Sequence, residues 1–117
     1  MNNFRELNVW QKARVFTKDL YQLLSKYPND EKFAIVSQMK RASVSIVSNI
    51  AEGSGRKTNN DFARFLDIAL GSAFEIETQL ILSNDLNFIS DSELKEFESK
   101  IQEIGKMING LIRAVRK

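Results

Sequence analysis

The stretch SDSELKEFESKIQEIGKMINGLIRAVR, residues 90–116, decides the fold of this chain. Its large apolar residues recur at alternating spacings of three and four, and this periodicity places them on one face of a helix. Ser90 and Glu93 have the spacing of a capping box, which marks a helix start. The stretch therefore predicts an amphipathic helix over 91–116, whose apolar face consists of Leu94, Phe97, Ile101, Ile104, Ile108, Leu111 and Val115.

The same periodicity recurs in three earlier stretches, which predict helices over about 8–26, 30–52 and 59–84. Four helices joined by short connections favour antiparallel packing of consecutive helices. We therefore predict an all-α protein in which residues 1–117 form a single domain, an antiparallel up-down-up-down four-helix bundle.

Particular residues predict where these helices begin and how closely they pack. Asn8 and Gln11 resemble a capping box at the start of the first helix, and Thr58 is expected to cap the third. Gly71 lies inside the third helix, where glycine costs about 1 kcal/mol relative to alanine. We therefore expect another helix to pass close to Gly71.

The composition narrows the classes of function. The chain has no Cys and no His, which removes disulfides, Cys-based zinc sites, thiol nucleophiles and imidazole acid–base chemistry. The carboxylates of Glu52 or Glu75 could act as a base, but no nucleophile, metal-binding cluster or phosphate loop accompanies them. We expect a cytoplasmic protein that is not an enzyme and has no cofactor, catalytic residue or metal site, and that does not enter a membrane.

Charge is distributed unevenly along the chain. Residues 1–57 contain ten Lys/Arg and five Asp/Glu, a net charge of +5, whereas residues 58–117 contain seven and ten, a net charge of −3. One interpretation is complementary packing between helices or subunits, and the other is a basic surface for an anionic partner. On the second interpretation the candidate contacts to RNA or DNA are Lys12, Arg14, Lys18, Lys40, Arg56, Lys57 and Arg64. Trp10 is interpreted as a core or subunit contact rather than as a surface for base stacking.

The second predicted helix has an unusual polar face. Between Phe33 and Ala51 its only charged residues are Lys40 and Arg41. A second stripe lies about 130° around the helix from the apolar stripe. It consists of residues with amide or small hydroxyl side chains, one arginine and one glutamate. We interpret it as a polar seam between helices or subunits, with Arg41 paired to a glutamate, and the alternative is a ligand or nucleic-acid contact. The seam residues are Gln38, Arg41, Ser45, Asn49 and Glu52, with Ser72 and Glu75 of the third helix facing them.

Three runs of this sequence resemble the 23S rRNA-intervening-sequence protein family, also called the four-helix bundle protein family. QMKRASVSIVSNIAEG at residues 38–53 resembles the family signature. LNVWQKA at 7–13 resembles the opening of the family, and FLDIALGSAFEIE at 65–77 resembles its third-helix motif. The resemblance covers nearly the whole chain in the same order.

The resemblance implies a bacterial protein whose antiparallel bundle assembles into a ring-like homopentamer, and it assigns the seam residues to that assembly. Some members are encoded inside insertions in 23S rRNA genes. A related branch, the accessory variability determinant of diversity-generating retroelements, binds a reverse transcriptase and nucleic acid through a basic surface. The first helix of this chain is only moderately basic, and its last two helices taken together are net acidic.

We therefore expect a homo-oligomeric binding module for RNA or for a protein–nucleic-acid complex. The resemblance implies that the oligomer is a pentamer. The expected protein partner is a protein such as a reverse transcriptase. The alternative is an adaptor or scaffold that binds protein and has no nucleic-acid contact, in which the charges serve solubility and assembly.

Overall fold

The computed structural model describes residues 3–116, and four α-helices account for most of them. They are α1 (Asn8–Leu24), α2 (Ile35–Ser54), α3 (Asn59–Asp85) and α4 (Asp91–Val115). Two short 3₁₀ turns precede α1 and α2, at Phe4–Glu6 and Asn29–Glu31. The described part of the chain contains no strand. The prediction of an all-α four-helix bundle is confirmed.

Contacts between helices show that neighbours run in opposite directions. Along α2 and α3, Ser45 meets Ser72 while Gln38 meets Gln79, so residue numbers rise on one helix as they fall on the other. The same reversal holds for the other neighbouring pairs. The contacts that show it are Thr17–Ser43 and Tyr21–Lys40 for α1 and α2, Asp67–Arg116 and Glu77–Gln102 for α3 and α4, and Lys12–Glu103 and Asp19–Lys100 for α1 and α4.

The core lies along the bundle axis, where each helix contributes its apolar stripe. In α4, Phe97, Ile101, Ile104 and Ile108 are buried as predicted, and Ile112 is buried at the helix end. The remaining predicted α4 positions pack at the edge of the core and are half-buried; they are Leu94, Leu111 and Val115.

Two of the three predicted helix caps are confirmed. In α4 the Glu93 amide donates to Ser90 Oγ at 3.1 Å, and the Ser90 amide donates to Glu93 Oε1 at 2.9 Å. That second bond favours the charged carboxylate and lowers the pKa of Glu93. At α3 the Asp61 amide donates to Thr58 Oγ1 at 3.1 Å.

The predicted capping box at the start of α1 is wrong. Leu7 occupies the cap position and Asn8 is already helical, so the Asn8 side chain cannot serve as the cap. The Gln11 side chain instead donates to the carbonyl of Arg5 at 2.8 Å, and so ties the preceding 3₁₀ turn to the helix.

The predicted start of the second helix at residue 30 is also wrong, because α2 begins at Ile35. The backbone of Ala34, with φ −117° and ψ −112°, separates the 3₁₀ turn from the helix. Phe33 is 90% exposed, so another helical turn here would bury little apolar surface. The first helix ends at Leu24, two residues before its predicted end.

Close approach between helices occurs at Gly53 and not at Gly71. A Cβ added at Gly53 would lie 2.7 Å from Phe65 Cβ and 3.0 Å from a ring carbon of Phe62. A Cβ added at Gly71 would meet no atom of another helix within 4 Å among the described residues, so the expectation for Gly71 is wrong. The tightest glycine contact in the bundle is therefore beside the turn from α2 to α3.

Gly53→Ala should destabilise the fold by about 1–2 kcal/mol, because crowding against Phe65 outweighs the higher helix propensity of alanine. Gly71→Ala is the matched control and should stabilise by up to about 1 kcal/mol, since its Cβ meets open space. Urea unfolding followed by helical circular dichroism, at one protein concentration, measures both changes. Equal effects of the two substitutions would contradict the packing constraint at Gly53.

Candidate nucleic-acid interface and helix seam

Three of the predicted basic residues share one side of the bundle, where α1 packs against α2. Arg14 and Lys18 are one turn apart on α1, and Lys40 reaches across from α2. The Lys40 Nζ lies 4.9 Å from the centre of the Tyr21 ring, and the Arg14 guanidinium lies 5.7 Å from the centre of the Trp10 ring. We call these five residues the basic face.

Among the described residues, no carboxylate lies within ion-pair distance of the cations of the basic face. Asp19 is the only acidic residue of α1, and it lies within 3.6 Å of Lys100 on α4. Glu52 is the only acidic residue of α2 and lies in its last turn. Across residues 3–116, no ion pair involves Arg14, Lys18 or Lys40, so their charges are uncompensated.

Lys12 is separated from the basic face although it is near Arg14 in sequence. Residues two apart on a helix point in nearly opposite directions. Lys12 therefore faces α4, where its ammonium pairs with Glu103. This residue is a poor candidate for contacting phosphate, since its charge is already neutralised within the chain.

The other three predicted residues lie at the turn between α2 and α3. The guanidinium groups of Arg56 and Arg64 lie 4.6 and 4.9 Å from the centre of the Phe65 ring. Each also has a distant carboxylate partner, Glu52 for Arg56 at 4.0 Å and Asp61 for Arg64 at 3.8 Å. Lys57 is exposed beside them.

Sequence reasoning missed the aromatic residues of this side. Trp10 is half-buried at the edge of the core, and Phe4 packs edge-on against it with ring centres 4.9 Å apart. Tyr21 is 39% exposed. The spacing of Trp10, Arg14 and Tyr21, four and then seven residues, is the signal that places all three on one side of α1.

The predicted polar seam lies between α2 and α3 within one chain. Ser72 Oγ donates to Ser45 Oγ at 3.0 Å, and Gln79 Nε2 donates to Gln38 Oε1 at 3.4 Å. Asn49 Nδ2 donates to the Ser45 carbonyl at 2.8 Å, along the same helix. Hydroxyls and amides at these positions therefore bond to one another or to the helix backbone where the two helices meet, whereas Gln79 Oε1 is buried without a hydrogen-bond partner in the described chain.

Arg41 does not form the ion pair that the sequence suggested. Glu52 pairs with Arg56, and Glu75 accepts a hydrogen bond from Gln79 Nε2 at 3.2 Å. Arg41 and Glu75 are exposed and line the same groove, but no ion pair to Arg41 forms within the described chain. The Arg41 charge is therefore open to a partner outside the chain.

A second exposed feature is a set of large apolar side chains on α3 and directly after its C-terminal end. Phe74 is the most exposed of them, at 60%. Scattered single apolar residues are normal on a surface, but several on one helix are typical of a surface that contacts protein. The set is Ile68, Phe74, Ile81, Leu82 and Leu86.

Groups with shifted pKa values lie outside the basic face. Burial raises the pKa of the Tyr27 hydroxyl, and a hydrogen bond to Glu96 raises the pKa of Lys100. Over residues 3–116, no three acidic side chains come close enough together to hold a metal ion. None of the helices described is both long and apolar enough to cross a membrane.

Comparison with known proteins identifies similar chains. The family model described as 23S rRNA-intervening sequence protein matches residues 5–110. A crystal structure from Bacteroides thetaiotaomicron, of a protein with unknown function from the S23 ribosomal protein family, has a TM-score of 0.83 and 28% sequence identity. That match covers 90% of this chain and 95% of the other. Among curated proteins, none matches this chain.

The hydrogen bond between Ser45 and Ser72 should couple α2 to α3. In a double-mutant cycle with Ser45→Ala and Ser72→Ala, we expect a coupling energy of about 0.5–1.5 kcal/mol, measured by urea unfolding. The control cycle pairs Ser72→Ala with Ser48→Ala, because Ser48 is exposed on α2 and has no hydrogen bond to Ser72. Similar coupling in both cycles would show that the seam contributes no specific bond.

Proposed function

This chain belongs to the 23S rRNA-intervening sequence protein family, and from that premise we propose that it is a cytoplasmic, non-enzymatic binding module for RNA. The observation that carries the proposal is the basic face, where Arg14, Lys18 and Lys40 form no ion pair with any residue of 3–116. Cations without an ion-pair partner attract phosphate, whereas a neighbouring carboxylate cancels most of the electrostatic potential of a paired cation.

RNA binding through this face has a defined electrostatic signature. Each phosphate contact releases condensed counterions, so the affinity falls as salt rises, with a slope that grows by about 0.7–0.9 per contact. Such contacts would read no sequence, because phosphates are the same at every nucleotide. The proposed module therefore recognises nucleic acid mainly by charge.

The triple variant Arg14→Ala/Lys18→Ala/Lys40→Ala should bind RNA more weakly and show a salt slope shallower by about 2–3. Fluorescence anisotropy with a labelled RNA hairpin, across a series of salt concentrations, measures both quantities. The matched control is Lys95→Ala/Lys106→Ala/Arg113→Ala on α4, which removes the same charge from exposed residues without ion pairs in the described chain.

Two outcomes would contradict RNA binding through the basic face. One is the absence of salt-dependent binding by the unmodified protein even at low salt. The other is an equal loss of affinity and slope in both triple variants, which would show that only total charge matters.

The same protein is proposed to form homo-oligomers, with five subunits as the family resemblance implies. Arg41 supports this proposal because it is exposed beside the seam and has no ion-pair partner in its own described chain. Exposed apolar residues on α3, such as Phe74, provide surface that a second copy would cover. Repeated head-to-tail contacts of this kind close into a ring when the rotation between subunits permits.

Arg41→Ala should lower the mass in solution without unfolding the bundle, because Arg41 forms no ion pair within the described chain. Sedimentation equilibrium should give a mass well above the 13.4 kDa of one chain for the unmodified protein. Arg113→Ala, an exposed arginine of α4, is the control and should leave the mass unchanged. A monomeric unmodified protein, or an unchanged mass for Arg41→Ala, would refute the role of Arg41.

A second candidate function is that of a protein-binding adaptor with no nucleic-acid contact. The exposure of Phe74 and Ile81 on α3, and of Leu86 just after it, favours this function, since a set of exposed large apolar side chains is commonly covered by a partner. A partner such as a reverse transcriptase would then bind α3 and leave the basic face free. This candidate becomes the better one if no RNA binds at low salt while Phe74→Ser abolishes capture of that partner.

A further inference from the structure

We infer that the basic face binds unpaired nucleotides of a single strand, with Tyr21 and Trp10 providing surfaces on which bases stack. The inference rests on the proposed function and names the form of nucleic acid that this function would use. It reverses the interpretation of Trp10 that the sequence favoured, because the ring lies at the edge of the core rather than inside it.

Aromatic rings and cations alternate along this side of the molecule. Lys40 lies over Tyr21 near one end, and Arg14 lies over Trp10 near the other. Phe4, which packs against Trp10, has the Arg5 guanidinium 4.8 Å from its ring centre. A surface with this alternation can bind phosphates through the cations and bases through the flat groups.

The turn between α2 and α3 extends the pattern at the same end of the bundle as Trp10. Because α1 and α2 are antiparallel, the end of α2 lies beside the start of α1. There the guanidinium groups of Arg56 and Arg64 both pack on Phe65. Phe65 is buried, but guanidinium planes themselves stack on bases.

Exposure and order of the rings favour a stacking role. Tyr21 is 39% exposed, which leaves part of its ring open to solvent. Trp10 packs against the core and also contacts Phe4, with an angle of 66° between the planes of the two rings. Rings already held in place lose little conformational entropy when a base stacks on them.

A single strand uses these rings and a duplex does not. In a duplex the bases stack on each other and present mainly phosphates and groove edges, so aromatic rings on a convex helix pair would add nothing. Tyr21 and Trp10 are eleven residues apart on α1, or about 16 Å at 1.5 Å per residue. A flexible strand of a few nucleotides can span that distance and place a base at each ring.

The test compares Tyr21→Ala with Tyr21→Phe, using labelled oligouridine, labelled oligothymidine and an RNA duplex with the same number of phosphates. Tyr21→Ala should weaken binding of the single strands about 5- to 150-fold. It should leave the affinity for the duplex unchanged, and it should not change the salt dependence of binding for the single strands or the duplex. Tyr21→Phe keeps the ring and should bind like the unmodified protein.

The fluorescence of Trp10 provides a second readout, since it is the only tryptophan in the chain. Oligouridine should quench this emission more than the duplex does, because a base stacked on the indole quenches it and only the single strand offers unstacked bases. Unfolding of each variant by urea shows whether a lost affinity reflects a lost fold.

The outcomes separate this inference from the proposed function. If all three nucleic acids bind with salt dependence but Tyr21→Ala changes none of them and Trp10 emission stays constant, the stacking inference is overturned while phosphate binding stands. Tighter binding of the duplex than of either single strand would also overturn it. If none of the three binds at low salt, the proposed function itself fails.

Discussion

The contact between Gly53 and Phe65 determines how closely α2 lies on α3. The surfaces on both sides of α2, one against α3 and one against α1, depend on this close approach. With no side chain on Gly53, Phe65 Cβ and the Phe62 carbonyl can approach to distances that a Cβ on residue 53 would block. The two helices then stay near enough for Ser45 and Ser72 to hydrogen-bond at 3.0 Å. The small polar residues of α2 are therefore explained by helix packing before any binding partner is considered.

Because one flank of α2 is occupied by α3, its other flank packs on α1 and creates the basic face. Asp19, the acidic residue of α1, points to α4 and lies near Lys100, and Glu103 of α4 pairs with Lys12 on that same side. Exposed pairs of this kind add little to stability, but they decide which cations remain available to an anion. The proposed binding surface is thus a consequence of how charge is divided between neighbouring helices.

Local signals predicted the elements well and their closest contacts poorly. The hydroxyl of Ser90 and the carboxylate of Glu93 act within one helical turn, so their capping box could be predicted from spacing alone. The start of α2 could not, because it depends on Phe33 finding no core to enter. Gly71 has as plausible a setting in the sequence as Gly53, yet only Gly53 faces a neighbouring helix at close range.

The sequence by itself determined four amphipathic helices, an apolar core and the absence of thiol and imidazole chemistry, because these depend on residue type and on periodicity along one helix. Only the tertiary structure decided that Lys12 is neutralised by Glu103 while Arg14 stays unpaired beside Trp10. Periodicity shows that two residues lie on different sides of a helix. Which helix lies opposite each side depends on how all four pack, and that arrangement assigns each cation its neighbour.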